Sequence, residues 1–155
     1  MTLQQTNSQH SNLRETIESL WASRDDLSAV MPITDARAAV HEAIELLDSG
    51  DVRVAEMNGT GVEAEVIVHQ WLKQAILLLF RLSDMETSEL GPYEYRDKIP
   101  LKRDYASAGV RVVPGASARW GAHLAPGVVM MPSYVNIGAR VGAETMVDTW
   151  ATVGS

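Results

Sequence analysis

Residues 129–155 read VMMPSYVNIGARVGAETMVDTWATVGS, and a valine recurs at every sixth position of this stretch. A small residue follows four positions after each of the first four valines. The two series are Val129, Val135, Val141, Val147 and Val153, and Ser133, Ala139, Thr145 and Ala151. An aliphatic residue with a small residue at a fixed distance, repeated every six residues, is typical of a hexapeptide repeat.

The period of six predicts a solenoid of short strands that starts at about Arg111. A helix needs a period near 3.6 and a single strand a period of 2, so six fits neither alone. Three short strands and three corners to a coil fit this period, with the valines stacked inward and small residues at the crowded corners. In this register His123, six residues before Val129, also points inward, and we interpret it as a partly buried structural histidine.

The predicted solenoid is short. From Arg111 to Ser155 it makes about two and a half coils, whereas repeat arrays need several stacked units and a cap. No capping helix follows the repeat before Ser155. We therefore expect the chain to be the N-terminal part of a longer protein.

A first amphipathic helix is predicted from Asn12 onward. Asn12 and Glu15 have the spacing of a capping box, and the polar residues 1–10 before them are expected to be frayed. One apolar stripe follows at helical spacing, formed by Leu13, Ile17, Leu20 and Trp21.

Two further helices complete the N-terminal part. The second starts near Thr34 or Asp35 and stops at Gly50, and the third runs roughly over 69–82 and is apolar almost all round. We predict an α+β protein, in which a mainly helical domain (1–105) precedes the start of the solenoid (106–155).

The segments between the helices and the repeat give weaker signals. Val52 and Val54 alternate with polar residues, residues 58–61 read NGTG, and valines return at 62–68, which predicts a hairpin. Residues 83–103 are polar and are punctuated by glycine and proline, so we predict a connector with extended pieces.

The amino-acid composition excludes some classes of function and argues against others. The chain has 155 residues, 20 acidic against 13 basic side chains, a net charge of −7 and no cysteine. Cysteine-ligated zinc and a thiol nucleophile are therefore excluded, and the acid excess argues against nucleic acid as a partner. No secretory signal or membrane-length apolar run is present, so we predict a cytoplasmic protein with no membrane contact.

The segments MMPSYVNIGARV and MVDTWATVGS, with VRVVPGASARWGAHLAPGVVM before them, resemble the tetrahydrodipicolinate N-succinyltransferase family. The segments ELLDSGDVRVAE, VHQWLKQAILLLFRL and YRDKIPLK resemble its helical domain. The resemblance runs from about residue 35 to the last residue. Asp148 and Trp150 make it specific, because they depart from generic hexapeptide sequence.

The resemblance implies a left-handed parallel β-helix and a homotrimer with active sites between neighbouring β-helices. It implies transfer of a succinyl group from succinyl-CoA to the amine of ring-opened tetrahydrodipicolinate, in lysine and diaminopimelate biosynthesis. No bound cofactor is implied, since succinyl-CoA is a co-substrate. In family members, most of the CoA-binding site and a glutamate of the catalytic apparatus lie in later coils. We therefore expect this chain alone to be inactive.

The resemblance also implies two site residues. Arg111 matches the family arginine that binds the dicarboxylate substrate, and a guanidinium fork suits a carboxylate. Asp148 matches the substrate-binding aspartate, with general-base catalysis as a further role that needs a dry groove. Without the resemblance, Arg111 reads as a surface arginine and Asp148 as a corner residue of the repeat.

Rival functions remain open at this stage. Another hexapeptide acyltransferase could use acetyl-CoA or a sugar amine, and a truncated solenoid could serve only as a trimerising module. A zinc-dependent hydratase of this fold needs several histidines, and the repeat has only His123. His10, His41 and His69 show no metal spacing, so we assign no metal site.

Overall fold

The computed structural model describes residues 3–155, with side chains described from residue 10 onward. Its helices are α1 (Leu3–Ala22), α2 (Ile33–Ser49) and α3 (Gln70–Leu82), with short 3-10 helices at Leu27–Ala29 and Gly61–Glu63. The second and third helices are confirmed. Gly50 ends α2 in the left-handed conformation, with φ at 86°, which glycine adopts without the steric cost of a Cβ atom.

The predicted start of the first helix is wrong. The helix begins at Leu3, so Asn12 lies inside it and its carbonyl accepts a hydrogen bond from the Thr16 hydroxyl at 3.0 Å. Residues 3–11 contain no proline or glycine, and their glutamines are good helix formers, so nothing stops the helix from extending. Residues 1–2 of the segment that we expected to be frayed lie outside the described part of the chain.

Helix α3 lies at the centre of the helical core. It packs against both α1 and α2, and its apolar positions are buried on most of its circumference. The buried members are Trp71, Leu72, Ala75, Ile76, Leu78, Leu79 and Leu82. The predicted stripe of the first helix supplies Leu13, Ile17 and Leu20 to the same cluster.

Two β-hairpins flank α3. Strands β1 (Ala55–Asn58) and β2 (Glu65–Val68) form the predicted hairpin, although its first strand starts after Val52 and Val54. Val54 is instead buried in the helical core. Strands β3 (Glu86–Leu90) and β4 (Tyr93–Asp97) form a second hairpin where we predicted a connector with extended pieces. Its side chains are mostly exposed, so the sequence shows no alternation of buried and polar positions there.

The repeat forms eight two-residue strands, as predicted for a solenoid. They are β5 (Arg111–Val112), β6 (Ser117–Ala118), β7 (His123–Leu124), β8 (Val129–Met130), β9 (Tyr134–Val135), β10 (Arg140–Val141), β11 (Met146–Val147) and β12 (Thr152–Val153). They stack in parallel as three sheets, ordered β5–β8–β11, β6–β9–β12 and β7–β10. Residues 3–155 thus contain three α-helices followed by the start of a parallel β-helix.

In the first coil and a half, the residues that point into the solenoid differ from those that the six-residue spacing predicted. Met130 and Leu124 are buried, and Val129 and His123 are only partly so. The register changes because one corner is a residue short: Arg111 pairs with Val129, 18 positions on, but Ser117 pairs with Tyr134, 17 positions on. Of the valines spaced by six, Val135, Val141, Val147 and Val153 take the inward position, and Val129 does not.

The short corner lies at residues 131–133. Its neighbours turn through a residue with positive φ, such as Gly127, Gly138 and Glu144. No such residue is found at 131–133, although this corner is fully described. Pro132 occupies it, and the proline ring fixes φ near −65° and so excludes the left-handed conformation.

Helix α2 is joined to the first coil by Asp48. Its carboxylate accepts a hydrogen bond from Lys102 Nζ at 2.6 Å and another from the backbone N–H of Gly121 at 2.7 Å. The indole N–H of Trp120 also donates to Glu45 at 3.1 Å. The helical core and the solenoid are therefore in direct contact. In the described part of the chain, no helix is long and apolar enough to cross a membrane.

Candidate functional site

Arg111 lies at the beginning of the first coil, on the outer face of β5. Its side chain is exposed, whereas its backbone N–H donates to the carbonyl of Val128 at 2.9 Å. Val129 and Met146 occupy the equivalent positions in the next two coils. Arg111 therefore heads a column of outward residues along the β5–β8–β11 sheet.

Asp148 follows β11 on the same sheet, two coils from β5. Adjacent strands of a sheet lie about 4.8 Å apart, so the two coils separate the levels of Arg111 and Asp148 by roughly 10 Å. Asp148 is exposed, and one carboxylate oxygen accepts the backbone N–H of Thr149 at 2.7 Å. The aspartate thus orders its own corner and keeps a second oxygen for another partner. The structure brings both predicted site residues to one sheet but not into contact.

Two exposed apolar side chains lie near Asp148: Met146 on β11, and Trp150 in the corner that follows this strand. Trp150 is 86% exposed and Met146 59% exposed. Trp150 has φ at 61°, and its backbone N–H donates to the carbonyl of Pro132 at 2.7 Å. A non-glycine residue in the left-handed region is uncommon, so the corner holds this indole at some conformational cost. Within the described part of the chain the ring covers little of the surface.

His123 lies on the β7–β10 sheet, which faces α2, and not on the sheet of Arg111. Its Nδ1 lies 3.3 Å from the backbone carbonyl of Asp48, which fits an N–H donated to that oxygen. Burial lowers the pKa of His123, the bond to Asp48 opposes this effect, and the positive charges of Arg140 and Lys102 add to it. The ring is therefore neutral at pH 7, in contact with the helix that packs on it.

A second feature, which sequence reasoning missed, is a basic cleft of about 250 Å³ between the β1–β2 hairpin and the solenoid. Arg53, Lys73 and Arg140 line it. The three residues are far apart in the sequence, so no local pattern could have pointed to them. Among the residues that the structure describes, no group of three or more His, Cys, Asp or Glu side chains could hold a metal ion.

A helical region followed by parallel coils of six-residue units defines a class, the proteins built on a hexapeptide-type β-helix. Comparison with known proteins shows which proteins of this class the chain resembles. Residues 12–82 match the family model described as "Tetrahydrodipicolinate N-succinyltransferase N-terminal". This match covers α2, α3 and the larger part of α1.

Curated relatives extend the similarity through the solenoid. A 2,3,4,5-tetrahydropyridine-2,6-dicarboxylate N-succinyltransferase of Methylobacterium sp. (strain 4-46) is 51% identical over 154 residues, which cover 94% of this chain and 53% of the relative. Proteins of the same name from Idiomarina loihiensis and Acinetobacter baylyi are 49% and 48% identical, over 93% and 94% of this chain and 53% and 54% of their own. The chain spans about half the length of the curated relatives that it matches.

Over nearly its whole length the chain is similar to the N-terminal half of named tetrahydropyridine-dicarboxylate N-succinyltransferases. The resemblance seen in the repeat and in the helical segments is thus confirmed.

Proposed function

We propose that the whole protein transfers the succinyl group of succinyl-CoA to the amine of ring-opened tetrahydrodipicolinate, a step of lysine and diaminopimelate biosynthesis in the cytoplasm. The observation that carries this proposal is the similarity to named N-succinyltransferases at about half identity over 94% of the chain, solenoid included. In the reaction the amine attacks the thioester carbonyl. A C–N bond forms, the C–S bond breaks, the nitrogen loses a proton, and CoA leaves as a thiol.

Arg111 is proposed to hold a carboxylate of the substrate. Its side chain is exposed on the outer face of β5, and no ion pair among the described residues involves it. A free guanidinium can offer two parallel N–H donors to a carboxylate. Each charge-assisted hydrogen bond of this kind contributes about 1.5–3 kcal/mol when it is well formed.

Asp148 is proposed to bind the substrate amine. The Thr149 N–H fixes one of its oxygens at 2.7 Å, so the carboxylate has a defined orientation and a free second oxygen. That oxygen can accept an N–H of the ammonium form and orient the amine for attack. As a general base it would take the proton that the nitrogen loses, which requires a neighbouring surface to exclude water.

The assembly that we propose is a homotrimer of left-handed β-helices, with each site in a groove between two protomers. Met146 is exposed on the sheet that carries Arg111, and Trp150 is exposed in the corner that contains Asp148 and Thr149. A neighbour packed on this side of the solenoid would bury both. Together these two side chains form a larger exposed apolar patch than a single scattered residue does. A groove would also bring groups from a second protomer to the gap between Arg111 and Asp148.

We also propose the division into a helical domain, 1–105, and a solenoid part, 106–155. Two separate clusters of buried residues support it, one centred on α3 and one inside the coils. Ile137 and Trp120 of the solenoid belong to the first cluster or pack on it, so the two parts share an interface.

The activity is tested by supplying the whole protein with the cyclic dicarboxylate and with succinyl-CoA or acetyl-CoA, and by following release of the CoA thiol. At equal donor concentration, we expect the CoA thiol to be released at least about a hundredfold faster from succinyl-CoA than from acetyl-CoA. The reason is that the groove must pair the distal carboxylate of the succinyl group, which acetyl-CoA lacks. Equal rates with the two donors would overturn the donor assignment. Absence of acylation with both would overturn the reaction, and leave a trimerising module to be tested by sedimentation.

A further inference from the structure

The basic cleft lies apart from Arg111 and Asp148. It is bounded by the β1–β2 hairpin and α3 on one side and by the β9–β10 corner and β12 on the other. Ala55 and Val68, which are paired across the hairpin, form its apolar wall. The cleft is therefore built by the junction of the helical part and the solenoid.

The charged side chains that line this cleft are all positive. Arg53, Lys73 and Arg140 line it, and no Asp or Glu side chain is found among its described lining residues. The ion pairs of the described residues include none of these three cations. The chain as a whole has a net charge of −7, so this local excess of positive charge is a favourable place for an anion.

The acidic residue nearest in the hairpin is held away from the cleft. Successive side chains of a strand point to opposite faces, so Glu56 points away from the face that Ala55 presents to the cleft. Its carboxylate contacts His69 Nε2 at 2.8 Å.

Arg140 is fixed in position. Its Nη1 donates to the carbonyl of Gly50 at 3.1 Å, and a Cβ atom at Gly50 would lie 2.8 Å from that nitrogen. Glycine at the end of α2 thus makes room for the guanidinium. Burial lowers the pKa of Arg140, and the positive charge of Arg53 lowers it further.

We propose that this cleft binds a phosphate group, held by Arg53, Lys73 and Arg140, as a site separate from the proposed acyl-transfer site. Two guanidinium groups and one ammonium offer several N–H donors and three positive charges. A phosphate dianion has more acceptor oxygens and more charge than a single carboxylate, so it compensates this group better. A cleft of about 250 Å³ accommodates one such group with part of its bearer.

The site is tested by titrating the protein with inorganic phosphate at low ionic strength, with calorimetry and amide chemical shifts as readouts. The proposal expects saturable 1:1 binding with shifts around residues 53–55 and 138–140, weakened by added salt. Arg53→Gln and Lys73→Gln, both at exposed positions, should each weaken binding about tenfold, since each removes one charge-assisted contact.

Matched controls make the outcome decisive. Arg103→Gln removes an exposed arginine outside the cleft and should leave phosphate affinity unchanged. A dissociation constant weaker than about 10 mM, equal losses in the Arg103 variant, or loss only on Arg111→Gln would each overturn the proposal. Coenzyme A and its 3′-dephospho form, titrated in parallel, distinguish a phosphate borne by the co-substrate from free phosphate. Because acylation is not measured, failure here leaves the proposed function unaffected.

Discussion

Lys102 and Asp48 are joined by an ion pair of 2.6 Å whose lysine side chain is only 9% exposed and whose aspartate is 23% exposed. Asp48 is the last acidic residue of α2, and Lys102 precedes the first coil. The same carboxylate accepts the N–H of Gly121 in that coil. A single side chain thus fixes how the helical core meets the solenoid.

Replacement of Asp48 tests this junction. Asp48→Asn removes the charge that pairs with Lys102, and leaves that ammonium shielded from water without a partner. We expect the free energy of unfolding to fall by about 2–3 kcal/mol, because breaking a largely buried pair costs more than losing an exposed one. Denaturant titration measures it. Asp51→Asn, at an exposed position of the same turn, should change it by less than about 0.5 kcal/mol.

Gly121 is expected to be intolerant of a side chain for two reasons. Its φ is +84°, and a Cβ atom there would lie 2.8 Å from both Ile137 Cγ1 and Ile44 Cγ2. We expect Gly121→Ala to cost about 3 kcal/mol, as the sum of left-handed strain and overpacking. Gly61→Ala isolates the first contribution, because Gly61 has φ at +68° and open space around it. It should cost about 1 kcal/mol, and equal costs for the two variants would contradict the packing at the junction.

The shifted register of the solenoid predicts unequal costs for two adjacent residues. Met130 has no exposed surface and points into the coil, whereas Val129 points outward beside Arg111 and Met146. Met130→Ala should lower the free energy of unfolding by about 2–5 kcal/mol. Val129→Ala should cost less than about 1 kcal/mol, since its side chain is only partly buried. A larger cost for Val129→Ala than for Met130→Ala would contradict the shifted register and support the unshifted one.

Stability should depend on the protonation of His123. Burial lowers its pKa in the folded protein below 6.5, so the unfolded chain binds the proton more strongly. The contribution of this residue is therefore fully present above pH 6.5 and is lost as the pH falls below it. Thermal unfolding of wild type and His123→Gln between pH 7.5 and 5 should show a smaller decline in the variant. His10→Gln, in α1, should retain the wild-type decline.

The period of the repeat was predictable because the same constraint acts on every coil. The six-residue spacing predicted the parallel coils, and Gly50 predicted the end of α2. The phase change at Pro132 was not predictable, since both Val129 and Met130 are apolar and either could point inward. The start of the first helix was missed because a capping pattern at Asn12 also occurs inside helices.

The candidate site was predictable only in part. The sequence motifs named Arg111 and Asp148, but not their placement on one sheet two coils apart. Asp48, Lys102 and Gly121 meet across more than fifty positions of chain, and long-range contacts of this kind leave no local pattern. The basic cleft escaped notice for the same reason.

The binding of the dicarboxylate by Arg111 is the central claim of the proposed mechanism. The direct measurement is steady-state kinetics of the whole protein with Arg111→Lys and the control Arg103→Lys. Lysine keeps the charge but loses the two-pronged contact, so we expect kcat/KM for the dicarboxylate to fall by about tenfold to a hundredfold. The KM for succinyl-CoA should stay unchanged, and so should both constants in the Arg103 variant. An unaltered kcat/KM for the dicarboxylate in Arg111→Lys would contradict the assignment.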